Sequence, residues 1–258
     1  MADAAMPDLE KVMDAAWPAP ERDGMGGWVL RAADGVTQRA NSVWPREGVP
    51  DIQAAVRGAA LWYRKRRLPL ILQVTDTPAN AVLNSVLDAQ GFTRQSETLV
   101  MCRDTGFAAA SHSGVQRPAE VAGHPSAEWL DVWWGVDGRG GQEELDTARR
   151  ILTGCPALYA LVRSDGGVPA AVGRLALVDG HAGIYCMATR PELRRRGFAG
   201  QILQSLIAGA ASAGTDRLWL LVTASNGAAR ELYTRAGFQE VGRYHYRQER
   251  PKRALTGC

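Results

Sequence analysis

Cysteine is scarce in this chain. Four cysteines (Cys102, Cys155, Cys186 and Cys258) are spread over 258 residues with no Cys-x-x-Cys spacing and no neighbouring histidine pair. That pattern argues against a disulfide framework and against a thiolate metal site, so no metal is expected. Long apolar runs are also missing. None approaches the roughly 20 residues that cross a bilayer, and no membrane partner is expected. The stretch Met1–Glu10 is acidic and lacks the basic and apolar regions of a secretory leader, so a cytoplasmic protein is expected. Neither sign of charge dominates: 30 Lys and Arg face 27 Asp and Glu, a net charge of +3. The chain as a whole is therefore not built to bind a polyanion, and no nucleic-acid partner is expected. No Gly-Lys-Ser/Thr sequence is present, which excludes a Walker loop. What remains is ordinary globular composition, 46% hydrophobic and 22% charged, in a length that suits one large domain or two small ones.

The most informative stretch runs from Ile184 to Phe238. An apolar β-type run, Ile184–Thr189, stops at Arg190-Pro191, because proline cannot donate to a ladder. From Phe198 a helical pattern carries Ile202, Leu203, Leu206 and Ile207 on one face. Between them lie Arg194, Arg195, Arg196, Gly197, Phe198, Ala199 and Gly200. A basic, glycine-containing turn at a helix N-terminus offers unpaired N–H groups and the positive end of the helix dipole. It fits a diphosphate. Three consecutive arginines could also be a solvated turn or a nucleic-acid patch. A second apolar run, Leu218–Thr223, leads to Asn226 and then to a helix carrying Ala229, Leu232 and Tyr233 before Gly237-Phe238.

Elsewhere, helices are expected over about 8–16, from Asp51 to the basic cluster Arg64–Arg67, over Asn80–Gln90, from Ser126, and over about Gln142–Thr153. Strands are expected at Gly26–Arg31, Val36–Trp44, Leu70–Val74, Thr93–Cys102, Ala157–Ser164, Ala170–Val178, Ala182–Thr189 and Glu240–Gln248. Hairpin turns are expected at Asp34-Gly35, Gly166-Gly167 and Asp179-Gly180. Thr105–Pro118 is small and polar and reads as a linker. Two halves echo each other. Gln73-Val74-Thr75, helix, Gly91-Phe92 and strand repeat as Leu221-Val222-Thr223, helix, Gly237-Phe238 and strand. The expected division is an N-terminal domain over 1–104, the linker over 105–118, a catalytic domain over 119–250 and a tail over 251–258.

The spacing Arg194-x-x-Gly197-x-Ala199 after a strand and a Pro-containing turn, followed by Asn226, Leu232-Tyr233 and Gly237-Phe238, resembles the GNAT superfamily of N-acetyltransferases. Ala16-Trp17-Pro18, Gly27–Arg31, Thr37–Val43 and Arg243–Arg247 resemble a two-domain bacterial subgroup, and the likeness runs nearly end to end. The resemblance implies an α+β fold with a mixed, mostly antiparallel sheet: two tandem GNAT-like domains. The N-terminal one lacks the cradle, having Arg46-Glu47-Gly48-Val49-Pro50, and is expected to hold no coenzyme. It also implies acetyl-CoA as co-substrate, held by the backbone of Met187, Ala188 and Thr189, by Arg194–Gly200, and by Asn226 and Ala229. The acceptor would be a small-molecule amine or a protein amine, and the protein a monomer or homodimer.

Acyl transfer to an amine needs a held coenzyme, a base, a stabilised oxyanion and an acid for the leaving thiolate. Tyr233, two helical turns after Asn226, is the candidate acid. A core tyrosine is the alternative. For the base, Ile184–Thr189 offers no carboxylate; Tyr185, His181 and Asp131 are the candidates. Cys186 as an acyl carrier has no base nearby in sequence. Arg243–Arg247 reads as an edge strand, and of Trp133 and Trp134 only one can face inward fully. A coenzyme-binding regulator without turnover is the reading from another class.

Overall fold

The computed structural model describes residues 6–106 and 119–250. In chain order these form α1 (Met6–Ala15), β1 (Glu21–Met25), β2 (Trp28–Ala32), β3 (Trp44–Pro45), α2 (Ile52–Lys65), β4 (Ile71–Thr75), α3 (Ala81–Ala89) and β5 (Thr93–Asp104). There follow β6 (Glu120–Ala122), α4 (Ala127–Asp137), α5 (Gln142–Leu152), β7 (Ala157–Arg163), β8 (Pro169–Val178), β9 (His181–Thr189), α6 (Phe198–Ser212), β10 (Arg217–Thr223), α7 (Gly227–Arg235) and β11 (Gln239–Gln248).

Two compact units emerge. The first joins the residues up to Pro18 to Leu99–Val241; the second joins Ala19–Thr98 to the residues from Gly242 onward. The boundaries differ from those expected over 1–104 and 119–250. The first helix falls with the later residues, because its burial partners are there: Tyr185 donates a hydrogen bond to Met13 C=O at 3.4 Å, and Trp17 stacks on Tyr185 at 5.4 Å. The end of β11 falls with the earlier residues, because it pairs with β4 from Tyr244↔Thr75 to Gln248↔Ile71. Most of the expected linker and all of the expected tail lie outside the described residues.

In the first unit the strand order is β10-β9-β8-β7-β6, with the later part of β5 beside β10. β6 to β9 pair antiparallel; β9 and β10 pair parallel. Its core joins Ile202, Leu203, Leu206 and Ala210 of α6 to Ala171, Leu175, Ile184, Leu218 and Leu220 of the sheet. The apolar stripe read from the sequence is thus the face that α6 buries. Helix α4 is capped by Ser126, whose hydroxyl accepts from Trp129 N–H at 3.1 Å. It is pinned to the sheet by Trp129, whose indole N–H is shared between the carbonyls of Ala160 and Gly173 at 3.1 and 3.2 Å.

In the second unit β4 and β11 pair, with β5 next to β11, and β1-β2-β3 form a small antiparallel sheet. Leu30, Val43, Leu72, Val74, Val56, Ala59, Leu83 and Leu87 build its core with α2 and α3. The expected strand over Val36–Trp44 is mostly a loop. Asp34, Gly35 and Thr37 take left-handed backbone conformations with φ of 52°, 78° and 62°, which break an extended run. Buried Asn41 holds that loop, accepting from the N–H groups of Ala33 and Gly35 and donating to the carbonyls of Val36 and Thr37. The hairpin turn lies instead at Gly26-Gly27, between β1 and β2, because Glu21–Met25 is a strand that its polar sequence concealed. The strand expected at an edge, Arg243–Arg247, is internal. Tyr244, His245, Tyr246 and Arg247 are all buried, and Arg247 bonds to Asn84 and Asp88 at 3.0 and 2.5 Å.

Candidate active site

The site begins where the sheet of the first unit stops being regular. Strands β8 and β9 slip out of register opposite Gly173: Val172 faces Ala188 but Arg174 faces Tyr185, so β9 carries one extra residue. That residue region is a β-bulge, with Cys186 at φ 55°. Gly173 is required there, since a Cβ would stand 2.5 Å from Ile202 Cγ2 and 2.9 Å from Met187 Sδ. The bulge coincides with the end of the parallel pairing, whose last partners are Leu220 and Ile184. Beyond them β9 and β10 part.

Arg190 N–H donates to Ala170 C=O at 3.0 Å. Hydrogen-bonded pairs alternate along an antiparallel ladder, so Ala188 also faces β8, while Thr189 and Met187 turn their N–H and C=O the other way. That way lies the gap left by β10. These are the backbone groups expected to pair with an extended ligand. Ala188 is buried and serves the sheet.

The strand ends at Pro191, in a single 3-10 turn over Pro191–Leu193. Arg195 and Gly197 then take left-handed conformations with φ of 59° and 86°. Gly197 is the N-cap residue of α6, and no side chain caps this terminus. Four N–H groups at a helix start have no partner within the helix, so Phe198, Ala199 and Gly200 present donors at the positive end of the dipole. Arg194, Arg195, Arg196 and Gly197 are exposed. Phe198 is buried under the Arg196 guanidinium, 5.5 Å from its ring centroid, and anchors the turn. Nothing lies within 4 Å of the position a Gly200 Cβ would occupy. Open backbone, positive dipole and three cations make this corner fit a diphosphate.

Helix α7 starts at Asn226, whose side-chain carbonyl accepts from Ala229 N–H at 3.2 Å. This capping role was not read from the sequence. Tyr233, on the same helix, is 6% exposed and sits edge-on to Phe238 at 6.2 Å. Among the described residues its hydroxyl makes no hydrogen bond. Burial pushes the phenol up to about 12, and the negative charge of Asp137 adds to the rise. The phenol is thus held protonated.

The three base candidates are engaged by other groups or distant from the strand end. Tyr185 accepts from the Trp219 indole at 3.1 Å and donates to Met13 C=O. Asp131 pairs with Arg190 at 2.6 Å. His181 opens β9, with its ring nitrogen 2.8 Å from Asp179 C=O, at the opposite end of the nine-residue strand from Thr189, each residue rising about 3.3 Å. Sequence reasoning passed over Asp137, the last residue of α4. It is exposed, and no pattern in the sequence marks it out; its charge reaches the Tyr233 phenol.

A bulged strand parting from its parallel neighbour, next to an uncapped, arginine-flanked helix start, defines a GNAT-type fold and site. Solved structures share that fold. A GCN5-related N-acetyltransferase from Kribbella flavida superposes with a TM-score of 0.72 over 98% of both chains at 19% identity. A tandem GNAT protein from the clavulanic acid biosynthesis pathway does so at 0.62, over 98% of this chain and 90% of the other, at 14% identity. In sequence, the chain is 27% identical to an uncharacterized N-acetyltransferase, YobR, of Bacillus subtilis, over 94% of this chain and 98% of the relative. It is 30% identical to the probable histone acetyltransferase Rv0428c of Mycobacterium tuberculosis, over 85% of this chain and 66% of that protein. The family described as probable histone acetyltransferase Rv0428c, C-terminal, matches residues 4–247, and the chain belongs to this family of GNAT-type N-acetyltransferases.

Proposed function

We propose that this protein transfers an acetyl group from acetyl-CoA to the primary amine of a small molecule, by direct attack with both substrates bound. The GNAT family uses acetyl-CoA, which supplies the acetyl group as an activated thioester. The N–H groups of Phe198–Gly200, with Arg194–Arg196, take the diphosphate. The backbone of Met187 and Thr189 pairs with the extended arm as a further strand would, and its N–H groups supply an oxyanion donor. Asn226 and Ala229, at the start of α7, line the arm's far side. Tyr233 Oη gives its proton to the departing sulfur. The reading rests above all on that hydroxyl: it is buried, protonated and without a hydrogen bond among the described residues, in the same unit as the cradle. The reaction is placed in the cytoplasm.

A lysine side chain of a protein is the second reading, favoured by the 30% identical mycobacterial relative and its printed name. A thiol-release assay with acetyl-CoA decides between them, run against a panel of amino acids, polyamines and aminoglycosides in one arm and lysine-containing histone-tail peptides in the other. The expected result is release with at least one small amine, at a kcat/KM at least tenfold above every peptide. Release with peptides alone replaces the first reading by the second.

A further inference from the structure

We propose that Cys155 is an oxidation site: its sulfur, held against the buried Arg174 guanidinium, takes an oxygen atom from hydrogen peroxide and becomes a sulfenic acid. This chemistry is separate from acetyl transfer.

Arg174 stands in the middle of the sheet of the first unit, opposite Tyr159 on β7 and Tyr185 on β9, and is 0% exposed. A guanidinium keeps its charge inside a protein, and burying that charge is costly unless an anion stands beside it. Among the described residues no carboxylate bonds to Arg174. Its Nε donates to Leu152 C=O and its Nη1 to Ala16 C=O, both at 3.0 Å. The ring centroids of Trp17 and Tyr185 each lie 5.8 Å from Cζ. The third bond runs from Nη2 to Cys155 Sγ, also at 3.0 Å. Of the atoms that accept from Arg174, only this sulfur can become an anion.

Cys155 is also within reach of solvent. It lies in the turn between α5 and β7, between exposed Gly154 and Pro156, and is itself half-buried, whereas Cys102 is buried. A cysteine that meets solvent on one side and a fixed cation on the other has the setting of a reactive thiol rather than a packing one. Negative charge is what makes sulfur a nucleophile, and a charge-assisted bond from arginine favours it. The oxidised forms of the side chain, sulfenate and sulfinate, would be anions against the same guanidinium.

Atoms and electrons are conserved in the step. A sulfur lone pair attacks one peroxide oxygen, so a sulfur–oxygen bond forms and the oxygen–oxygen bond breaks. Sulfur gives up two electrons and the peroxide is reduced. The thiol proton goes to the departing hydroxide, which leaves as water.

The test treats the unchanged chain with hydrogen peroxide and dimedone, a trap for sulfenic acids, and reads each cysteine separately by mass spectrometry. Cys186, half-buried as well, is the internal reference. Labelling at Cys155 is expected to be at least tenfold faster than at Cys186, and to slow at least tenfold in Arg174→Met. Because removing a buried cation can also unfold the chain, a second pair of variants leaves Arg174 in place. Cys155→Asp and Cys155→Asn differ only in a charge near the position of the sulfur, and the Asp variant is expected to unfold at the higher temperature at pH 7. A Cys155 to Cys186 ratio below ten, labelling that slows less than tenfold in a folded Arg174→Met chain, or an Asp variant no more stable than the Asn variant overturns the proposal.

Discussion

Helices α6 and α2 each follow a strand that ends at an X-Pro step, Arg190-Pro191 in one case and Trp44-Pro45 in the other, yet their first turns are opposites. Gly197 starts α6 in a left-handed conformation, no side chain caps it, and arginines flank it. Asp51 starts α2, and its carboxylate accepts from Ala54 N–H at 2.8 Å. The same unsatisfied donors are left open in one case and closed by a built-in anion in the other. The strands beside them differ likewise. In the first unit the β9–β10 pairing simply stops. In the second, the single parallel bridge Val43↔Leu72 is braced by buried Arg31, which bonds to Ser42 C=O and Oγ and to Gln73 Oε1. One half of the echo keeps a gap fit for a ligand, and the other has filled it with its own side chains.

The contrast is broken most severely at Gly200. Gly200→Glu adds a carboxylate to open space at the helix start without a packing clash, and it is expected to weaken acetyl-CoA binding more than 100-fold by calorimetry. Asp51→Ala, its counterpart on α2, is expected to leave that affinity unchanged while costing about 0.5–2 kcal/mol of stability in denaturant unfolding. An Asp51→Ala protein that loses coenzyme affinity would show the second unit to be part of the binding machinery.

A gentler comparison uses two buried tyrosines. Burial pushes both Tyr63 and Tyr233 up to about 12. The Tyr63 hydroxyl is locked, donating to Arg31 C=O at 2.8 Å and accepting from Arg31 N–H at 3.2 Å. Tyr63→Phe is therefore expected to cost about 1–3 kcal/mol, because it strands those partners. Tyr233→Phe is expected to cost little stability but to lower kcat 10- to 100-fold with coenzyme affinity within twofold. Equal stability losses would show that Tyr233 is only a core residue.

The smallest expected effect is on pH. Both phenols ionise near 10 when unfolded and near 12 when folded, so the folded state holds more protons between those values. The stability they contribute is full below pH 10 and is lost as pH rises towards 12. The denaturant midpoint is expected to fall across that window, and less steeply in Tyr233→Phe.

Much of this was legible because local chemistry decided it. The α6 stripe, the Pro191 stop, the Ser126 and Asp51 caps and the Gly197 turn act over a few residues, and the fold agrees with each. Residues 36–44 misled because alternation promised a strand while Asn41, through its own hydrogen bonds, fixed a loop. Residues 243–247 misled because alternating polar side chains look exposed until Asn84 and Asp88 arrive to satisfy Arg247. Asp137 went unseen for a related reason: the groups whose charges it feels, Tyr233 and Arg194, are far away in sequence.

The amino-acid sequence by itself determined the cradle, the bulge-bearing strand's end and the helix of Tyr233, since turn, cap and periodicity are properties of short segments. Only the tertiary structure decided where β9 leaves β10, and that the buried Tyr233 side chain makes no hydrogen bond through its hydroxyl among the described residues. Those depend on contacts between residues tens of positions apart, and no local pattern encodes the distance between them.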